Sequence, residues 1–362
     1  MKPLEILLAG DVNCTVGEVL ADEPLAPLAG LFDAADVRLG NLEGAFFDAA
    51  VGLDYKPGWR HCDPEGIKLI EGKFDAVACA NNVHFGEAIG VSSGILDAAG
   101  IAHTGAGANL AAAREPAIVE RGGQRVGVLA YTAVFWPIGH AATQDRAGVA
   151  VVRNSTAYEP HPRLVEMPGA PARVRSEPHE DDIARIRDDV RSLRGRVDVV
   201  VVYFHWGVTG QDEIAEYQRT LGRAAIDAGA DIVAGSHPHI PQGVEFYQTG
   251  VILYSLGNFM FGWILHQHMT RDGLVALVDT DSDRGWRLSL VPVRRDDEGR
   301  IAWLRPGDAD ADRIMSRVAE LSTAYGTSIE PAGDRYAVRP ADGAGAFGMR
   351  EHGRMPVGAA GA

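Results

Sequence analysis

Cysteine is scarce in this 362-residue chain: there are three, Cys14, Cys62 and Cys79, an odd number with no CxxC spacing. That excludes a disulfide framework and a thiolate metal cluster, and fits small buried hydrophobes in a reducing cytosol. Positive charge is short as well, with 34 Lys and Arg against 49 Asp and Glu, a net charge of −15. So acidic a chain lacks the basic face that nucleic acid or an anionic membrane surface would require. No apolar run approaches the length of a membrane span, and the opening MKPLEILLAGD lacks the serial charged region, apolar stretch and cleavage site of a signal peptide. A soluble cytoplasmic protein with no nucleic-acid or membrane partner is therefore expected. Internal repeats and low-complexity blocks are absent too. What is present is an ordinary apolar content of 46%, in a chain long enough for one large α/β domain or two smaller ones.

The richest stretch runs from Val199 to Phe261. Val199 to Phe204 is apolar at consecutive positions, which suits a strand buried on both faces, and His205 stands at its end. From Glu213 to Ala228, Ile214, Tyr217, Leu221 and Ala225 form one helical stripe that stops at Gly229. A second apolar strand, Asp231 to Ala234, then delivers Gly235, His237 and His239. Strand, helix, strand with histidines at both strand exits matches the place where open α/β sheets collect ligands, and three imidazoles together call for a metal.

Earlier strands show the same placement. Leu4 to Ala9 ends at Gly10 and Asp11; Val37 to Leu39 leads into GNLEG, with Asn41 and Glu43; Asp75 to Ala80 runs into ANNVHFGE. Asp63-Pro64-Glu65 is a helix start, Ala117 to Glu120 with Arg125 to Thr132 reads as a hairpin, and Asp181 to Leu193 is helical. Prolines at 160, 162, 168, 171 and 178 break the pattern between 140 and 178, which reads as a surface insertion. We expect a catalytic domain over 1–300, then a C-terminal helix and a mobile tail over 301–362. Asp11, Glu43 and Asn82 thus join His205, His237 and His239, a donor set able to hold two divalent ions about 3.5 to 4 Å apart across a bridging carboxylate.

The ordered motifs GD at Gly10, NLE at Asn41, ANN at Ala80, HWG at His205, SHPH at Ser236 and YSLGNF at Tyr254 resemble the CapA-type, poly-γ-glutamate capsule family of the calcineurin-like metallophosphoesterase superfamily. The resemblance covers roughly Leu4 to Val293. It implies an α/β (α+β) fold, a four-layer αββα sandwich of two mixed sheets with a dinuclear site at one sheet edge. Carried over, Glu43 bridges two ions of Mn, Fe, Zn or Mg; Asp11 and His239 bind one, and Asn82, His205 and His237 the other. Asn13 stands where many of these enzymes have a histidine ligand, which implies a more loosely held first metal.

One departure bears on the reaction. The superfamily follows its ligand asparagine with a histidine that serves as general acid for the leaving group; here Val83 occupies that position and His84 comes one residue later. Without that acid, a metal pair can still polarise a carbonyl and ease removal of an adjacent α proton. Some soluble relatives, the lasso-peptide epimerase among them, invert a residue of a ribosomal precursor peptide. The expected function is accordingly acid/base catalysis of Cα epimerisation on a peptide substrate. Phosphoester hydrolysis and a part in poly-γ-glutamate polymer synthesis or release are the alternatives. Candidate acid/base groups are His84, His61, Asp212 and Glu213; Lys56 and Arg60 are candidates for a peptide carboxylate, and Trp206 and Trp136 for the pocket wall.

Overall fold

The apolar runs become the central strands of two sheets in the computed structural model, which describes residues 2–15, 19–48, 50–52, 59–262, 270–281, 285–342 and 347–348. The first sheet is built on Glu5–Asn13. On one side lie Val37–Leu42, Ala76–Ala78 and Ala102–Thr104, successively parallel. On the other lie Asp272–Asp279, Arg287–Arg295, Arg335–Pro340 and Thr327–Ala332, successively antiparallel. The second sheet runs in the order Val244–Tyr247, Gly250–Leu253, Ile232–Ser236, Val199–His205, Gln124–Thr132 and Ala117–Arg121, parallel in the centre and antiparallel at both edges.

Strand alternation explains how the sheets stack. Ile6 and Leu8 pack in one cluster with Val199, Val201 and Tyr203 of the other sheet, whereas Leu7 and Ala9 lie in a second cluster with Phe32, Ile89 and Leu96. Val200, Val202 and Phe204 point the opposite way, against Ile183, Ile186, Val190 and Leu193 of the helix Glu180–Arg194 and Tyr217, Leu221 and Ala225 of the helix Glu216–Ala228. Both faces of Val199–His205 are therefore covered, which is why it reads as unbroken apolar sequence. Helix, sheet, sheet, helix is the four-layer mixed α/β sandwich that the family resemblance implies.

Two segments differ from the sequence reading. After the helix Ala309–Thr323, Thr327–Ala332 and Arg335–Pro340 form a hairpin that extends the first sheet, where only a helix and tail were expected. Short runs with only Ile329 in one strand and Tyr336 and Val338 in the other facing the core carry too little periodicity to be seen alone. The tail expected to be mobile lies almost wholly outside the described residues. The proline-rich stretch contains its own exposed hairpin, Asn154–Glu159 with Arg173–Pro178, off both main sheets. Among the described residues no helix is long and apolar enough to cross a membrane.

Candidate metal centre

The carboxyl ends of the central strands of both sheets meet at one edge, and there the polar residues collect. Asp11 lies where Glu5–Asn13 changes register, between Leu8 and Asp11 against Val37–Leu42 and between Asp11 and Val12 against the short parallel strand Asn258–Phe261. Such bulges re-aim a side chain at the end of a ladder. The Asp11 amide donates to the carbonyl of Gly257 (2.9 Å), whose chain passes so close that a Cβ on Gly10 would sit 2.1 Å from that oxygen. Glu43 follows Val37–Leu42 directly, its amide bonded to Val12 (2.7 Å). His205 ends its strand in register with Ser236.

The loop after Ser236 is strained where it does its positioning. His237 has φ 91° and His239 φ 59°, a region that non-glycine residues seldom enter. Each such residue costs on the order of 1–3 kcal/mol and persists only where the surroundings enforce it. In that conformation the His237 amide donates to Asp11 Oδ2 (3.1 Å) while both imidazoles turn toward the acids.

Two triads result, Asp11–Glu43–His239 and Glu43–His205–His237; within each, one ligand atom per residue lies within 4.8 Å of the others, and all are buried. Glu43 Oε1 is 3.8 Å from His205 Nε2 and 3.7 Å from His239 Nε2. Outer residues set which ring nitrogen faces inward. Asn258 Nδ2 donates to the carbonyls of His239 and Thr270, so its Oδ1 accepts from His239 Nδ1 (2.9 Å) and Nε2 is turned to Glu43. His205 Nδ1 lies 3.1 Å from Ser236 Oγ, again with Nε2 toward Glu43. Asn41 Nδ2 donates to Asp11 Oδ1 (2.8 Å).

Burial pushes the Asp11 carboxyl up to about 7, although hydrogen bonds from the His237 amide, Asn41 and Ser236 pull the other way. The ion pairs described for Asp11 and Glu43 are to histidines rather than to Lys or Arg. Two buried carboxylates among imidazoles whose inward nitrogens are set by their neighbours form a donor set suited to divalent cations, which would restore the ionised state. The residues fit a metal.

Five of the six expected ligands are brought together: Asp11, Glu43, His205, His237 and His239. Asn82 is half-buried on the turn after Ala76–Ala78. Its neighbour Asn81 is fully buried and ties that turn to the centre, donating through Nδ2 to the carbonyl of Leu42 (2.7 Å) beside Glu43. Asn13 is engaged elsewhere: Nδ2 donates to the Glu43 carbonyl (2.8 Å), and Oδ1 accepts from the amide and hydroxyl of Thr15. It holds Glu43 in place instead of presenting itself as a ligand.

The candidate acid/base and substrate residues divide. His84 is buried just after the turn at 82–83, and its ring folds back so that Nδ1 reaches Asn81 Oδ1 (3.1 Å). Burial, then the nearby His61, His140 and His103, pushes its pKa down to about 3, so it is a neutral imidazole. His61 is buried edge-to-face with Phe47, and burial lowers its pKa too. Asp212 pairs through its carboxylate with Arg317 of the last helix (2.5 Å), at the rim of a cavity of about 140 Å³ lined also by Ile240, Pro241 and Arg313. Glu213 and Arg60 are exposed side chains, and Lys56 lies outside the described residues. Trp206 is not a pocket wall. It is 0% exposed, stacked on Phe204 with ring centroids 4.7 Å apart, its Nε1 donating to Tyr254, because a side chain one position past a doubly covered strand continues the outer core. Trp136 is the exposed one, at 43%.

The sequence reading assigned no role to Asn41, Ser236, Asn258, Asn81 or His140. The first four lie inside the motifs NLE, SHPH, YSLGNF and ANN, but partners 19 to 39 residues away decide what they do. His140 lies outside every motif.

The family model for the bacterial capsule synthesis protein PGA_cap matches residues 5–263. A segment of 94 residues is 43% identical to the capsule biosynthesis protein CapA of Bacillus anthracis, covering 24% of this chain and 23% of that protein. One of 106 residues is 38% identical to the PGA biosynthesis protein CapA of Bacillus subtilis (strain 168), covering 29% and 27%. The chain thus spans only about a quarter of these two relatives. A probable polyglutamine synthesis accessory protein of Mycobacterium tuberculosis (strain CDC 1551 / Oshkosh) is 28% identical over 309 residues, 82% of this chain and 75% of that protein. With the family model spanning both triads and more than half of its length, the chain belongs to the PGA_cap family of bacterial capsule synthesis proteins.

Proposed function

We propose that the protein is a divalent-metal-dependent enzyme acting on the amide backbone of a glutamate polymer or a related peptide, in the synthesis or release of capsule-type poly-γ-glutamate. The single observation that carries the reading is the pair of buried triads sharing Glu43, which supports two adjacent metal ions. Family membership and the capsule and polyglutamine names of the relatives supply the substrate class.

Asp11, Glu43 and His239 would hold one ion, and Glu43, His205 and His237 the other, with Asn82 beside the second. When bound, such ions supply Lewis-acid polarisation of an amide carbonyl in a site closed to bulk water. The chain's own residues do the rest. Asn258 and Ser236 keep His239 and His205 with Nε2 inward, and the His237 amide holds the Asp11 carboxylate in place. His84, whose Nδ1 is engaged by Asn81 Oδ1, leaves Nε2 as the candidate proton acceptor.

Cα epimerisation of a ribosomal, lasso-type precursor peptide is a second reading, favoured by one feature. Val83 stands at the position of the leaving-group acid, so the group that would protonate a departing alkoxide is missing there.

One set of incubations separates these readings. Protein loaded with Mn or Zn is given a synthetic γ-glutamyl oligomer, an α-linked peptide in heavy water and an aryl phosphate, with His237→Ala as control. Shortening or transfer of the oligomer, seen by mass spectrometry and lost in the variant, supports the first reading. Deuterium at a peptide Cα without cleavage supports the second. Steady phosphate release, with neither of the others, overturns both in favour of a phosphoesterase.

A further inference from the structure

A second histidine cluster lies beside the triads. His84 and His140 are both buried, on different loops, and their contacts form one chain. Asn81 Nδ2 donates to the Leu42 carbonyl, which fixes the amide orientation; Asn81 Oδ1 then accepts, and its partners are the Val83 amide (3.3 Å) and His84 Nδ1 (3.1 Å). His84 Nδ1 must therefore carry the proton. His84 Nε2 is left as a bare lone pair, buried and without a hydrogen-bond partner among the described residues.

The backbone of the same residue is gripped from the other side. His140 Nε2 donates to the His84 carbonyl (2.8 Å), and His140 Nδ1 accepts from the Trp136 amide (3.0 Å). Both assignments follow from the partners, since a carbonyl can only accept and a backbone amide can only donate. The ring also packs edge-to-face on Phe85, with centroids 5.2 Å apart. His140 thus closes the loop that leaves Gln124–Thr132. That loop starts at Ala133, bonded to the His205 carbonyl (2.9 Å), and exposes Trp136 and Ile138, the latter 76% exposed.

We propose that Asn81 and His140 are positioning residues that clamp His84 from two sides, holding Nε2 as a hydrogen-bond acceptor and tying it to the apolar rim loop 133–140. The loop and the imidazole then move as one body, so an apolar group of the substrate seated on Trp136 and Ile138 bears directly on His84. A substrate with an apolar side chain or linker near its reacting amide fits this rim. The significance for turnover rests on His84 acting at the reaction site; the clamp itself does not, and the test keeps the two apart.

In protein with ¹⁵N-labelled histidine, long-range ¹H–¹⁵N correlation is expected to show His84 as a single neutral tautomer protonated at Nδ1. Finding Nε2 protonated overturns the proposal, with no variant needed. His140→Phe keeps the ring volume but has neither hydrogen bond, whereas His140→Gln can both donate and accept. Amide exchange in His140→Phe is expected to quicken about tenfold or more in 81–86 and 133–140 together, as loss of both hydrogen bonds implies, and His140→Gln is expected to stay near wild type. Quickening confined to 133–140, or equal quickening in both variants, overturns the coupling. If the clamp passes and the turnover assays show nothing, the functional reading fails alone. If turnover is found, His140→Phe lowers kcat with little change in KM and His140→Gln restores it; unchanged kcat in His140→Phe overturns the positioning role.

Discussion

Glu43 is the residue on which the centre turns, because it alone belongs to both triads. Glu43→Gln keeps the shape and removes the charge, so bound metal is expected to fall by at least one equivalent per chain, read by elemental analysis after gel filtration. Asn258→Ala acts one shell out. Without the amide that fixes His239 Nδ1, metal affinity should drop about 10- to 100-fold in competition with a chelator, while the fold is retained. A third residue matters for stability alone. Burial would raise the Asp182 carboxyl, but hydrogen bonds from the side chain and amide of Arg153 and from Arg185 outweigh it and bring the pKa to about 2. A carboxyl held below its unfolded value stabilises above pH 4 and loses that contribution as pH falls toward 2. Asp182→Asn should therefore cost about 2 kcal/mol near neutrality, allowing for the half-exposed arginine, with the gap closing between pH 4 and 2 in urea titrations.

At the scale of elements, the strand ends do the positioning, and the tightest constraint is Gly10. An added Cβ would meet the Gly257 oxygen at 2.1 Å, and backbone cannot yield as a side-chain tip can. Gly10→Ala is expected to displace the end of Glu5–Asn13 and cost about 3 kcal/mol or more, with metal binding lost alongside; a fall in Tm without change in metal content would show that the strand end adapts. The ligands at strand exits were legible in the sequence because each follows an apolar run that stops at a polar residue: Asp11, Glu43, His205 and His237. The asparagines that orient them were visible as letters and silent as roles. Asn41, Asn81 and Asn258 act through contacts to other strands, which neither period nor spacing encodes. Trp206 turns into the core, not a pocket, because a residue's place in sequence does not say which side of the strand end its side chain takes.

For the whole molecule, the net charge of −15 sets a long-range field that repels a polyanion, whatever the local centre does. If a glutamate polymer is the substrate, its association rate should rise with added salt over about 10 to 150 mM, as screening shortens the reach of that repulsion. A rate that falls with salt would point to a positively charged partner instead. Stopped-flow binding of a labelled γ-glutamyl oligomer to metal-loaded protein measures this.

The sequence by itself determined the donor set and the double cover of Val199–His205; the layer order came with the resemblance that its ordered motifs carry. Consecutive apolar residues can be buried only between two covers, and polar residues that end such strands must gather at one sheet edge. Only the tertiary structure decided the distances at which Glu43 meets both triads, the inward nitrogen of each histidine, and the grip of His140 on the His84 backbone. Those depend on where separate strands end relative to one another in space, and distances of 3 to 4 Å between residues up to 226 apart in the chain leave no trace in local pattern.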